Sequence, residues 1–167
     1  MAAAQEPADI AALVRALRAR GSSAVERVRA ARQLSQISTE TPELRTALVA
    51  AGAIPGLVRC LRAANSPTVQ AAAAEALGVL ANGSAAHQTA VAAAGGVQAL
   101  LDCLRSSSSA VQAATARALG TVAWTHRDNQ AAILATGAVP CLVRLLGSTS
   151  SEVQEGAAAA APGRQPF

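Results

Sequence analysis

Apolar residues recur along this chain at helical rather than strand spacing, and one stretch shows it twice. In VQAAAAEALGVLA, Val69 to Ala81, the side chains of Val69, Ala73, Ala76, Leu77 and Leu80 fall on one stripe, with Ala71, Glu75, Gly78 and Asn82 on the opposite side. The stretch returns as VQAATARALGTVA, Val111 to Ala123, with nine of thirteen positions identical, and VQEGAAAA starts again at Val153. The three starts stand 42 residues apart, so the chain is a repeat array of amphipathic helices, each of which must bury its stripe against neighbours.

The punctuation between these helices also repeats. Ile10, Leu13, Val14 and Leu17 form a helical stripe that Gly21-Ser22-Ser23 ends, and Val25 to Ile37 follows, its ARQLSQI resembling AEALGVL and ARALGTV. Pro42 to Ala50 predicts a short helix ending at Ala51-Gly52, where glycine suits the left-handed conformation. IPGLVRCLRAA then carries Pro55 in a first turn, and Ser66-Pro67 starts the long helix in the same fashion. The plan of short, medium and long helix returns in Ala86 to Ala93, VQALLDCL and the stretch after Ser106 to Ser109. It returns again in Asn129 to Ala135, VPCLVRLL and the stretch after Ser148 to Ser151. Ser109 with Gln112 and Ser151 with Gln154 have the spacing of a capping box. Residues 1–8 then form a disordered Ala-rich lead, 9–50 a divergent first repeat, 51–93 and 94–135 two full repeats, 136–161 an incomplete fourth, and 162–167 a non-repeat tail.

The offset places Ala161 and Pro162 where Leu119 and Gly120 stand one repeat earlier. A proline inside a helix costs roughly 3 kcal/mol, so the last helix is expected to be short and weak. That end lacks the polar outer face of a terminal repeat. The expectations are a truncated isoform of a longer array and weak self-association through the uncapped end.

Composition narrows the class. The chain of 167 residues is 51% hydrophobic with one Trp, one Phe and no Tyr, so its core is Ala, Leu and Val; this favours closely packed helices over sheet and gives an all-α fold. Its fourteen basic residues are all Arg and leave a net charge of +4. A coding bias toward Ala, Gly and Arg accounts for that as well as a preference for acidic partners does, and the lack of aromatic stacking platforms argues against nucleic acid. Cys60, Cys103 and Cys141 form no CxxC, and Cys60 and Cys103 occupy one place in consecutive repeats, as small core residues of an intracellular, reduced protein in the cytoplasm or nucleus. The N-terminus carries acids where a signal peptide needs bases, and no apolar run reaches about eighteen residues, so no membrane insertion is expected. His87 and His126 read as residues of inter-helix turns, distant from each other. With no catalytic motif, no metal site and no cofactor site, the chain does not read as an enzyme.

AGAIPGLVRCL (Ala51 to Leu61), AGGVQALLDCL (Ala94 to Leu104) and TGAVPCLVRLL (Thr136 to Leu146), each followed by VQ, resemble armadillo repeats. So does RDNQAAILATGAVP, Arg127 to Pro140, and the resemblance covers about residues 9 to 155. It implies a right-handed α-solenoid of three-helix units whose third helices line a concave groove for peptides or partner proteins. It also implies a non-enzymatic scaffold or adaptor, of the kind that serves nuclear import, adhesion, Hsp70 regulation or small-GTPase regulation.

The helical wheel places the groove on the side of the long helices opposite the stripe. Arg32 and Gln36, then Glu75, Val79 and Asn82, then Arg117, Thr121 and Trp124 are the candidate protein-binding residues. Arg32, Glu75 and Arg117 should form a ladder of alternating charge suited to a mixed-charge or acidic peptide, with a solvated face as the plainer reading. Trp124 suits either a groove-edge anchor or packing beneath the next helix. In importin-α-like adaptors the resemblance implies a Trp and, four residues on, an Asn at the places of Glu75 and Val79 and of Arg117 and Thr121; neither is present here, which argues against binding of nuclear-import signals. A clamp on a folded partner, such as an Hsp70 nucleotide-binding domain or a small GTPase, and an assembly subunit docking through its C-terminal end are the alternatives.

Overall fold

The structure, a computed structural model, describes residues 7–63, 66–124 and 126–160. The expected tail over 162–167 and Pro162 itself lie outside the described residues, as do the first six residues of the expected lead. Eleven helices and no strand are found among the described residues. They are α1 (Pro7–Arg18), α2 (Ala24–Glu40), α3 (Pro42–Ala50), α4 (Ala53–Leu61), α5 (Pro67–Ala81), α6 (Ala85–Ala93), α7 (Gly96–Cys103), α8 (Ser109–Ala123), α9 (Arg127–Ala135), α10 (Ala138–Leu146) and α11 (Ser151–Ala159). Helix α1 begins two residues inside the stretch expected to be lead, and its proline stands where the missing amide hydrogen has no helical partner anyway.

The expected short and medium helices are equal in length, nine residues in α3, α4, α6, α9 and α10 and eight in α7, so the two differ only in their order within a unit, and the chain turns sharply between them at the same glycines. Gly52, Gly95 and Gly137 adopt φ of +88°, +74° and +70°, a region costly for any residue with a Cβ, and α3 and α9 therefore bend into α4 and α10 by 72° and 87°. Thr41, Ser84 and His126 cap the short helices, accepting the backbone amides of Leu44, His87 and Asn129.

The long helices stack side by side, α5 along both α2 and α8, and α11 along α8. Val69, Ala73, Ala76, Leu77 and Leu80 are buried as the stripe predicts, and Ala72 and Ala74 are buried with them because neighbours cover both flanks. The stacking is close enough to exclude side chains. A Cβ on Gly78 would lie 3.3 Å from Cα of Ala118, one on Gly156 would lie 2.6 Å from the Ala113 carbonyl oxygen, and one on Gly120 would run into the Ala159 carbonyl. Helix α11 ends at Ala159 after nine residues, against fifteen in α5 and α8.

Two expected capping boxes are not formed. The N-caps are Ser108 and Ser150, without side-chain caps, so Gln112 and Gln154 stand one residue out of register. Their amides instead donate back across the preceding turn, Gln112 to the Ser106 carbonyl at 2.7 Å and Gln154 to the Ser148 carbonyl at 2.8 Å. Gln70 reaches the Leu61 carbonyl in the same way at 2.9 Å. A complete capping box opens α2 instead, between Ser23 and Glu26. Its hydrogen bonds from the Ser23 amide and hydroxyl hold the Glu26 carboxyl below its ordinary value.

A depressed carboxylate contributes stability that is complete above the unfolded-state pKa and is lost as pH falls through the folded one. The Ser23 amide proton is therefore expected to shift in an NMR titration with a midpoint below that of an ordinary glutamate. Gly120→Ala is expected to lose about 1–2 kcal/mol in urea unfolding, since overpacking outweighs the gain in helix propensity. Thr115, whose hydroxyl is buried in α8 with no hydrogen-bond partner, supplies the opposite case: Thr115→Val is expected to gain about 1 kcal/mol.

Candidate functional site

Five of the eight residues read from the wheel meet in one place. Glu75, Val79 and Asn82 from α5 and Arg117 and Thr121 from α8 line a surface groove of about 550 Å³ whose floor is Ala74, Gly78, Ala114 and Ala118. The floor is shallow and apolar because the close approach of α5 and α8 admits only glycine and alanine there. The walls are polar because those side chains point away from the buried stripe.

Across this groove Arg117 Nη2 lies 3.8 Å from Glu75 Oε1, with 45% and 50% of the two side chains exposed. Two rungs of the expected charge ladder are thus in contact. A pair this exposed is worth about 0–1 kcal/mol, so a ligand displaces one partner at little cost. Thr121 donates its hydroxyl to the Arg117 carbonyl at 3.1 Å, which fixes its rotamer. Asn82 and Trp124 stand 42 residues apart and have the same backbone, each closing its long helix with φ near −60° and ψ near +120°.

The other three residues lie elsewhere. Arg32 and Gln36 line a separate cavity of about 500 Å³ with Val25, Val28, Arg29 and Gln33. Helix α2 is the first long helix, and its outer flank carries no described helix; its C-terminal end still reaches the α5–α8 groove through Thr39, in the place of Asn82. Trp124 is half-buried and stands outside the lining of both cavities.

Thr39 of α2 lines the groove as well, and the charged residue that the wheel missed is Arg45. It comes from the short helix α3, donates from Nε to the Ser38 carbonyl at 3.1 Å and from Nη1 to the Asn82 carbonyl at 2.6 Å, and so sits at the groove's end. A wheel drawn on the long helices alone cannot see it. The groove therefore holds two guanidinium groups against one carboxylate.

The histidines differ from expectation. His126 does occupy a turn, as the N-cap of α9, but His87 lies within the first turn of α6 and is buried, its Nδ1 at 3.0 Å from the Leu80 carbonyl. His126 Nε2 meets Thr89 Oγ1 of α6 at 2.9 Å. Asn129, in the place of His87 one repeat on, donates to the Val122 carbonyl at 2.9 Å, so both close the junction between a long helix and the next short one. Among the described residues no group of three or more His, Cys, Asp or Glu could hold a metal ion. No single described helix is long and apolar enough to cross a membrane.

The cysteines form a ladder of weak hydrogen bonds along the medium helices. Cys60 Sγ reaches the Leu17 carbonyl at 3.8 Å, Cys103 the Leu61 carbonyl at 3.6 Å and Cys141 the Leu104 carbonyl at 3.7 Å. Burial raises the Cys60 thiol, and burial with the adjacent Asp102 carboxylate raises Cys103 to about 11. Both stay protonated, as a donor requires.

These features define a class: a repeat α-solenoid presenting a groove of stacked long helices. Residues 41–82, 84–123 and 126–161 match the armadillo/beta-catenin-like repeat, and the chain belongs to that family. The family match counts each unit from its short helix, whereas the divisions read from the 42-residue period begin near the medium helix. Among solved structures, an engineered protein is 38% identical with a TM-score of 0.84, over 91% of this chain and 60% of that one. A computationally designed armadillo repeat protein for modular peptide recognition is 27% identical with a TM-score of 0.81, over 92% and 63%. A designed armadillo repeat protein in complex with the peptide (KR)4 is 27% identical with a TM-score of 0.80, over 91% and 62%. The chain thus spans less than two thirds of the length of these structures. Comparison with curated proteins yields no match. Armadillo folds generally bind peptides or proteins, and designed members do so.

Thiol labelling checks the cysteine ladder. In the native protein Cys141, half-buried, is expected to react with a disulfide reagent well before Cys60 and Cys103, which are buried and protonated. Equal rates for all three would contradict the buried positions.

Proposed function

We propose that this chain is a non-enzymatic interaction module that holds an extended, acidic segment of another protein along the α5–α8 groove. The observation that carries the reading is the weak Glu75–Arg117 pair above a floor of small residues, with Arg45 at the end. A carboxylate from the ligand can replace Glu75 on Arg117 with a bidentate hydrogen-bonded pair, which is stronger than an exposed monodentate contact. The alanine and glycine floor lets a peptide backbone approach closely but selects little, so charge decides the partner. The designed relative that binds (KR)4 takes a basic peptide. The excess of Arg over Glu in this groove favours the opposite sign. An intracellular setting, cytoplasmic or nuclear, is part of this reading, supported by three free cysteines.

Fluorescence anisotropy with labelled peptides tests it. A peptide of alternating Glu and Ala is expected to bind, more weakly as salt rises, and Arg117→Glu is expected to weaken it by about tenfold or more, ~1.4 kcal/mol. Arg127→Glu, on an exposed face of α9 outside the groove, is expected to change little. Tighter binding of (KR)4 than of the acidic peptide, or indifference to Arg117→Glu, would contradict the proposal.

A further inference from the structure

The medium helices α1, α4, α7 and α10 carry matching rows on their two flanks. The flank toward the next repeat bears Ile10, Val14 and Leu17 in α1, Ile54, Val58 and Leu61 in α4, and Val97, Leu101 and Leu104 across α7 and its C-cap. All nine are at most 8% exposed. The same row in α10 is Val139, Val143 and Leu146, exposed by 42%, 60% and 44%. The difference lies in what covers the row, not in its chemistry.

What covers the first two rows is a row of small residues on the following medium helix. A Cβ on Gly56 would lie 3.0 Å from Leu17 Cβ, and one on Gly96 would lie 3.3 Å from a Val58 methyl. Ala99 and Cys103 continue the pattern and are buried. Aligning IAALVRALRA in α1 with IPGLVRCLRA in α4 puts Ala12 in the place of Gly56 and Ala16 in the place of Cys60. In α1 this small-residue flank is uncovered: Ala12 is exposed and Ala16 partly so. Two positions depart from the small-residue row: Leu145 in α10 stands where Cys60 and Cys103 do, and Asp9 in α1 is a carboxylate where the others carry Ala53, Gly96 and Ala138; the register brings Asp9 beside Val143, next in sequence to the exposed Arg144.

We propose that a second copy of this chain stacks head to tail, its α1 flank of Ala12 and Ala16 covering the Val139, Val143 and Leu146 row of the first. The long helices agree in charge. Extending the Ala113–Gly156 contact by one repeat sets Glu155, which stands where Ala113 stands, against the residue in the place of Ala72 and Ala114. In α2 of the incoming copy that residue is Arg29, and both Glu155 and Arg29 are exposed. The interface is heterologous, so it propagates rather than closes.

Sedimentation over a wide concentration range tests this. The weight-average mass is expected to rise above 16.6 kDa with no plateau at the dimer. Val143→Glu and Ala12→Glu, both at exposed positions and checked for helicity by circular dichroism, are each expected to remain monomeric alone. Mixed in equal amounts, they are expected to form a species of twice the chain mass and nothing larger, since each retains one intact face. Glu155→Arg is expected to weaken assembly and added Arg29→Glu to restore it. A chain that stays monomeric throughout would overturn the proposal. So would Ala12→Glu dimerising on its own, which would mean that two α10 faces meet symmetrically.

Discussion

Near-contact between the backbones of successive long helices governs this structure. Gly78 lies on Ala118, Gly156 on Ala113 and Gly120 on Ala159; a side chain on Gly120 or Gly156 would force the helices apart, and one on Gly78 would fit only tightly. Proteins pack close to crystal density, so a gap of one methylene propagates along the whole contact. Because α5 and α8 approach this closely, Arg117 reaches Glu75, and the space between them is a shallow groove rather than a cleft. The same small residues that permit stacking form its floor, so fold and site share one cause.

The medium helices apply the rule in a second layer. Large residues on one flank meet Gly, Ala or Cys on the next, and the thiols of Cys60, Cys103 and Cys141 each reach a leucine carbonyl at the same place in the preceding repeat. Solenoid stability is approximately a sum of such neighbour terms, which makes the outermost flanks chemically equivalent to buried ones. Exposed Val143 and buried Val58 differ only in company. The surface groove and the exposed apolar row of α10 are consequences of a single periodic design.

The period, the three-helix order and the left-handed turn at Gly52 were legible because each follows a local rule in the sequence. The stripe was legible for the same reason, and so was the shared groove position of Glu75, Val79, Asn82, Arg117 and Thr121. What escaped depended on register or on distant chain. Ser109 and Gln112 have capping-box spacing, but the helix starts one residue early, and Gln112 turns back to the Ser106 carbonyl. Arg45 enters the groove from a short helix that the wheel of the long ones cannot contain. Arg32 and Gln36 were aligned correctly with Glu75 and Val79 but face another cavity, since repetition in sequence does not report what lies beyond the first helix. His87 looked like a turn residue because α6 is short; burial and the Leu80 carbonyl decide its place.

The most direct measurement is the proton–proton Overhauser spectrum of the folded chain with Gly78, Ala118, Gly120 and Ala159 assigned. Strong cross-peaks between the Gly78 and Ala118 Hα protons, and between the Gly120 Hα protons and Ala159, are expected if backbone meets backbone at these points. Their absence, with contacts between the long helices arising only from leucine and valine methyls, would show helices held apart by side chains. The shared wall of Glu75 and Arg117 would then have no basis.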